Sequence, residues 1–253
     1  MSEGMATVKE TGIVIRPLQE VEEMSIGVDL QRRVWGYTEI DTVPDQIFIV
    51  ARESGGQVLG AFHEDKAIGF ALAFAGVHGG RIHLHSQMVA VLPEYQNRGV
   101  GRMLKLTQRD DAISRGIDLI ELTFDPLQLT NAYFNLMRLR AIVRRYLPNF
   151  YGRTSSPLHG GLPTDRVVAE WWVRSARVQE LLDGKISKAG PDRLRIRIPA
   201  EIRQIANTNP VEAERIQRGV RAQFERHIAE GHTAVGIEFD AEQGSYVLEP
   251  YED

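Results

Sequence analysis

The chain has 253 residues, 43% hydrophobic and 25% charged, with a formal net charge of -4. That length supports a real core in one large domain or two small ones, and the acidic balance argues against a general nucleic-acid binder, which would be basic. With no cysteine there are no disulfides or thiolate metal sites. No apolar run reaches membrane-span length, and Met1-Ser2-Glu3-Gly4 lacks the basic-then-apolar order of a signal peptide, so a cytoplasmic protein is expected.

In chain order, Ile13-Val14-Ile15-Arg16-Pro17 reads as a short first strand. Val21, Met24 and Val28 then recur at helix spacing, with Trp35 near the end of that helical region. Pro44 opens a second short helix through about Arg52, and Gly55-Gly56 ends it. Val58 to Phe62 and Ala67 to Phe74 form a hairpin around the polar turn His63-Glu64-Asp65-Lys66. Gly79-Gly80 precedes a strand from Arg81 to Val91, and Pro93 closes it.

Next comes Gln96-Asn97-Arg98-Gly99-Val100-Gly101, followed by a helix-like stretch from Arg102 to Arg115. Val100, Met103, Leu104 and Thr107 share one face of that helix. Asp111 falls near the same face, which requires an exposed helix end. Ile117 to Phe124 is almost continuously apolar, as in parallel strands buried on both faces, and Asp125-Pro126 stops it.

Thr130 or Asn131 can cap a further helix running to about Tyr146, with Ala132, Leu136, Leu139 and Val143 as its apolar stripe. Its opposite face carries Arg138, Arg144 and Arg145, either a solvated basic face or an attraction for phosphates or an acidic acceptor. Gly152 to Asp165 reads as a long loop, and Val167 to Val173 resumes a strand. Arg193 to Pro199 alternates strictly and must be a strand with one apolar face. Pro210 precedes a helix with Ile216, Val220, Phe224 and Ile228 at helix spacing, ended by Gly231. Thr233 to Phe239 and Ser245 to Leu248 are two last short strands. This β-α-β-β unit is too small for a strong core of its own, so it packs on the preceding domain or pairs with a second copy of the chain as a homodimer.

A strand, a tight glycine turn and a helix make backbone N–H groups converge at a helix N-terminus, an arrangement that binds phosphate. Two familiar loops of this kind fail here. A dinucleotide fingerprint needs a third glycine where Leu104 stands, and a nucleotide-triphosphate loop needs Gly-Lys-Ser/Thr where Gly101 is followed by Arg102-Met103. Gly184-Lys185 elsewhere is followed by Ile186 and lacks the upstream glycine.

The whole string from Val89-Ala90-Val91-Leu92-Pro93-Glu94-Tyr95 through Gln96-Asn97-Arg98-Gly99-Val100-Gly101 resembles the acyl-coenzyme-A loop of the GNAT superfamily of N-acyltransferases. The resemblance covers about residues 10 to 180 and weakens beyond Tyr151. It implies an α/β (α+β) fold, a mixed, splayed central sheet flanked by helices, with the β-α-β-β segment as a C-terminal extension. The domains on this reading are 1–180, binding acyl-coenzyme A and catalytic, and 181–253, the extension.

The family resemblance also implies a donor site. The cofactor arm would lie along Val89, Ala90 and Val91, and the pyrophosphate would rest on the amides around Gln96, Asn97, Arg98, Gly99, Val100, Gly101 and Arg102. Arg98 and Arg102 could add charge-assisted bonds. Asn131 matches the asparagine at the start of the next family helix. The family's catalytic tyrosine, however, aligns with Leu136 or Asn135. Tyr133 lies one turn early and Tyr146 later; either could stand in as acid, or the thiolate leaves unaided.

The base is sought among His85, Glu121 and Asp125. His83, His85 and Gln87 share one face of their strand by period-two alternation, and Glu121 and Asp125 stand on and just after the adjoining strand. The His83-x-His85 pair has no third ligand at recognisable spacing, so no metal is expected. The function so implied is transfer of an acyl group from acetyl-coenzyme A or another acyl-coenzyme A to the amine of a small molecule such as an amino acid. Phe124 to Leu127 and Asn149 to Gly152 look like a subfamily in which similar proteins use succinyl-coenzyme A. The alternative is a silent acyl-coenzyme-A-binding fold acting as sensor or partner. Neither nucleic acid nor membrane is an expected partner.

Overall fold

Runs of alternating or continuous apolar residues build the first unit, Met1–Ile120, around four strands: β1 (Ile13–Pro17), β2 (Gln57–His63), β3 (Lys66–His78) and β4 (Arg81–Val91). The computed structural model describes residues 12–152, 161–185 and 193–251. These four strands are antiparallel neighbours in the order β1-β2-β3-β4, with Val14 opposite Phe62, Leu59 opposite Ala71 and Phe70 opposite Ala90. Helices α1 (Ser25–Trp35), α2 (Asp45–Glu53) and α3 (Val100–Ser114) accompany them. Pro44 precedes α2 in an extended conformation, as its position at a helix start predicts.

Phe48, Phe70, Met24 and Leu30 fill the core of this unit, and the Phe48 and Phe70 rings lie 5.6 Å apart. Each such buried ring contributes roughly 2–3 kcal/mol of hydrophobic stabilisation. The buried face of α3 is Val100, Leu104, Lys105, Gln108 and Ala112, while Met103 and Thr107 are half-buried. As expected, Asp111 stands at an exposed end of α3; Gln57 Nε2 donates to its Oδ2 at 2.6 Å, and Arg115 pairs with the same oxygen.

The second unit, Glu121–Asp253, holds most of β5 (Leu119–Phe124), then β6 (Ile142–Leu147), β7 (Arg166–Trp172), β8 (Leu194–Pro199), β9 (His232–Phe239) and β10 (Gln243–Pro250). The strand order is β5-β7-β6-β9-β10-β8, and the β6–β7, β6–β9, β9–β10 and β8–β10 pairs are antiparallel. Helices α4 (Leu129–Ala132), α5 (Ala176–Leu182), α6 (Ile202–Thr208) and α7 (Pro210–Ala229) complete it. Asn209 caps α7, its Oδ1 accepting from Glu212 N. The extension joins the sheet of this unit: Ala234 of β9 stands opposite Val143 of β6. Residues 153–160 of the expected long loop lie outside the described residues.

One expected element is replaced by two. The helix predicted from Thr130 to Tyr146 stops at Ala132, continues as a wider π turn over Tyr133–Arg138, and gives way to β6. Leu139 N bonds to Phe134 O, one residue further back than in an α-helix, and Arg140 adopts a left-handed φ of 60° that ends the run. Leu136, Leu139 and Val143 are all buried, so the helical spacing was a coincidence of two elements each burying apolar residues. Arg144 and Arg145 consequently sit on a strand and not on a helix face. Arg144 Nη2 lies 2.6 Å from Glu170 Oε2, and Arg145 Nη2 lies 2.5 Å from Glu121 Oε1.

Aromatic packing and a buried carboxylate hold the second unit's core. Tyr246 is fully buried, its ring 5.0 Å from that of Phe224, and its hydroxyl donates to Pro126 O at 2.8 Å. Asp165, also fully buried, accepts from Tyr146 Oη at 2.5 Å, from Arg221 through both carboxylate oxygens, and from Asn149 N. A carboxylate this buried is tolerable because every lone pair finds a donor. Among the described residues no helix is long and apolar enough to cross a membrane.

Candidate functional site

The first unit shapes the glycine turn in four steps. Strand β4 ends at Val91, and Leu92 N bonds to Ile68 O at 2.9 Å. Pro93–Tyr95 makes one 3-10 turn. Gln96 Nε2 then reaches back to Val91 O at 2.9 Å, pinning the turn to the strand it leaves. Asn97 and Gly99 take left-handed φ of 59° and 83°, and α3 begins at Val100. A residue with a Cβ is strained at such a φ, which explains a glycine at 99.

The consequence is a set of donors turned outward. The first helical bond of α3 is Met103 N to Gly99 O at 2.9 Å, and among the described residues the amides of Asn97 to Arg102 have no protein acceptor. They stand at the positive end of a 15-residue helix. Arg98 and Arg102 add cationic side chains, and neither has an ion-pair partner among the described residues; the Arg98 guanidinium lies 5.4 Å from the Tyr95 ring. Tyr95 Oη is 3.1 Å from His63 Nδ1, and Ile13, His63, Tyr95 and Arg98 line a recess of about 230 Å³ beside the turn. The turn fits a phosphate-bearing ligand by its donors, its dipole and its charge.

The strand feeding this turn is irregular. Register between β3 and β4 slips between Leu72 and Ala73, leaving Gln87 as an extra residue. Alternation therefore breaks at Gln87, and the single face expected for His83, His85 and Gln87 does not extend past His85. His83 is buried against Gly76, where an added Cβ would lie 2.9 Å from the ring. His85 is half-buried opposite Phe74. Val89 and Val91 are half-buried and Ala90 is buried.

The other predicted residues belong to the second unit. Glu121 is buried and bound to Arg145. Asp125 Oδ1 accepts from Leu127 N at 2.9 Å, and burial raises its pKa above the ordinary aspartate value. Asn131 is exposed, its carbonyl accepting from Asn135 Nδ2 at 2.9 Å. Tyr133 is exposed with its ring 6.0 Å from that of Phe239. Asn135 and Leu136, which align with the family tyrosine, are both buried. Tyr146 is committed to Asp165, and burial followed by that hydrogen bond raises its pKa.

Sequence reasoning missed one polar cluster behind the turn. Lys105, fully buried on α3, donates to Ser86 Oγ at 2.8 Å and to Gln108 Oε1 at 2.9 Å. Burial lowers its pKa to about 7. Positions 104 and 105 both lie inward, so a lysine next to an apolar helix position gave no warning.

Residues 26–134 match the family model described as Acetyltransferase (GNAT) family. No curated protein matches the chain. Similar solved structures include Arabidopsis thaliana Naa50 in complex with the bisubstrate analogue CoA-Ac-MVNAL, at TM-score 0.51 and 14% identity over 63% of this chain and 97% of that one. The ribosomal-protein-S18-alanine N-acetyltransferase from Escherichia coli matches at TM-score 0.51 and 18% identity, over 65% of this chain and 96% of its own. A GNAT-family acetyltransferase from Streptococcus pneumoniae matches at TM-score 0.50 and 17% identity, over 62% and 98%. At these identities the likeness establishes the fold. Residues 26–134 are thus a GNAT acetyltransferase family domain, and the fold around it is the one its solved neighbours share.

Proposed function

We propose that the protein is an acyl-coenzyme-A-dependent N-acyltransferase acting on the amine of a small molecule such as an amino acid. The observation that carries this reading is the row of unaccepted amides from Asn97 to Arg102 at the start of α3, with Arg98 and Arg102 beside it. A diphosphate is the ligand such donors suit, and the Arabidopsis neighbour carries a CoA-containing bisubstrate analogue at the same fold.

In the reaction, the acceptor nitrogen forms a bond to the thioester carbon, the carbonyl oxygen takes up charge, and the carbon–sulfur bond breaks to release thiolate. The turn's role is to hold the donor by its diphosphate, with Gln96, Gly99, Val100 and Gly101 shaping the cradle and Val89 to Val91 offering main-chain groups to the arm. Asn131 is proposed as a further contact to that arm. One of Glu121, His85 and Asp125 takes the acceptor's proton, and of the two candidate acids Tyr133, unlike Tyr146, is not tied to the Asp165 carboxylate and could return a proton to sulfur.

Free thiol release from acetyl- and succinyl-coenzyme A, measured against a panel of amines, tests the proposal. Thiol release that depends on one amine class supports it. Tight coenzyme-A binding with no release across the panel would instead favour a silent acyl-coenzyme-A-binding fold. That second reading draws on the placement of Asn135 and Leu136, buried where the family acid would stand.

A further inference from the structure

The helix-to-strand corner of the second unit brings together His227, Glu230 and His232, in the pattern His-x-x-Glu-x-His. One ligand-type atom from each lies within 4.8 Å of the others. His227 Nδ1 is 3.0 Å from Glu230 Oε2, and the two imidazole rings are 6.0 Å apart at 73°. Among the described residues no other group of three such side chains converges.

We propose that this corner is a zinc site that fastens the end of α7 to the start of β9. Zinc takes imidazole nitrogen and carboxylate oxygen readily, completes a tetrahedron with water, and places donors about 3.3 Å apart. The His227–Glu230 pair, at 3.0 Å, needs to part only slightly to reach that spacing, and a rotation of the His232 ring closes the third side. The ring is available for it: Nδ1 of His232 is buried without a hydrogen-bond partner, and among the described residues no hydrogen bond holds the imidazole. The site also stands at the C-terminal end of a 20-residue helix, where outward carbonyls favour positive charge.

One neighbour opposes the ion and defines a control. Arg226 Nη2 lies 3.1 Å from His227 Nε2, so in the metal-free corner that nitrogen accepts and Nδ1 carries the proton donated to Glu230. Ligation through Nδ1 moves the proton to Nε2, and the exposed Arg226 side chain turns away. No proton is released in this exchange, and the charge of one guanidinium leaves the corner.

Titration of zinc chloride into the full, tag-free, metal-stripped chain tests the site, read by calorimetry and by melting temperature. One ion per chain and a rise in melting temperature are expected. Glu230→Gln, on a half-exposed side chain that need not disturb folding, and His232→Ala should each weaken binding by roughly tenfold or more and abolish the rise. Arg226→Ala should bind zinc at least as tightly as the parent. Absence of binding in the parent, or equal affinity in Glu230→Gln and His232→Ala, overturns the proposal. This test is independent of acyl transfer, so its outcome and that of the acyltransferase reading separate cleanly.

Discussion

The side-chain amide of Gln96 donates to the carbonyl of Val91 across 2.9 Å, tying the glycine turn to the last residue of the strand before it. The bond fixes where the Asn97 to Arg102 amides point without occupying any of them. Gln96→Ala should therefore raise KM for acyl-coenzyme A about fivefold, the equivalent of one lost hydrogen bond of roughly 1 kcal/mol, with kcat nearly unchanged. Steady-state kinetics with varied donor checks this.

Gly99 makes a sharper test. Nothing lies within 4 Å of an added Cβ, so a substitution there meets no clash, and its cost is the left-handed φ of 83° alone. Gly99→Val should keep the circular dichroism and unfolding transition of the parent within about 2 kcal/mol while losing coenzyme-A binding by calorimetry. Parental affinity in this variant contradicts the cradle.

The base can be located by pH–rate profiles of Glu121→Gln, His85→Ala and Asp125→Asn. If Asp125 serves, the acid limb of kcat/KM lies above the ordinary carboxylate range, because burial raises its pKa, and Asp125→Asn removes that limb. Loss of the limb in Glu121→Gln instead assigns the role to a carboxylate held by Arg145 at 2.5 Å. An unchanged limb in all three places the base elsewhere.

Lys105 predicts a stability effect with a definite sign. Its folded pKa is lowered to about 7 by burial, so between that value and the lysine value of 10.5 the unfolded chain binds more protons than the folded one. Stability from this group thus rises with pH through that window, by up to about 1.4 kcal/mol per unit. Lys105→Met should flatten the rise in urea unfolding measured from pH 7 to pH 10. A slope identical to the parent's would show that Lys105 keeps its charge.

What the sequence disclosed depended on how local the cause was. The turn was legible because Gly99 and Gly101 follow an apolar strand closed by Pro93, and one backbone requirement at 99 dictates the residue. The helix α7 was legible for the same reason, with Pro210 at its start and Gly231 just past its end. The stretch after Asn131 was not. Leu136, Leu139 and Val143 satisfy helical spacing, yet the π turn and the left-handed Arg140 divide them between two elements. Gln57, Glu121 and Asp165, which bond to Asp111, Arg145 and Tyr146, stand 54, 24 and 19 residues away from them, and no local pattern encodes such pairings.

The join between β6 and β9 bears on any attempt to shorten the chain. Cutting before β8 would strip β6 of a neighbour and leave an open row of main-chain donors and acceptors, an invitation to aggregate. The same cut removes Arg221 and strands the fully buried carboxylate of Asp165 with no cation to answer it. The last sixty or so residues are thus a wall of the second unit, and a trimmed protein would be expected to collect as insoluble material, whatever its first 120 residues can bind.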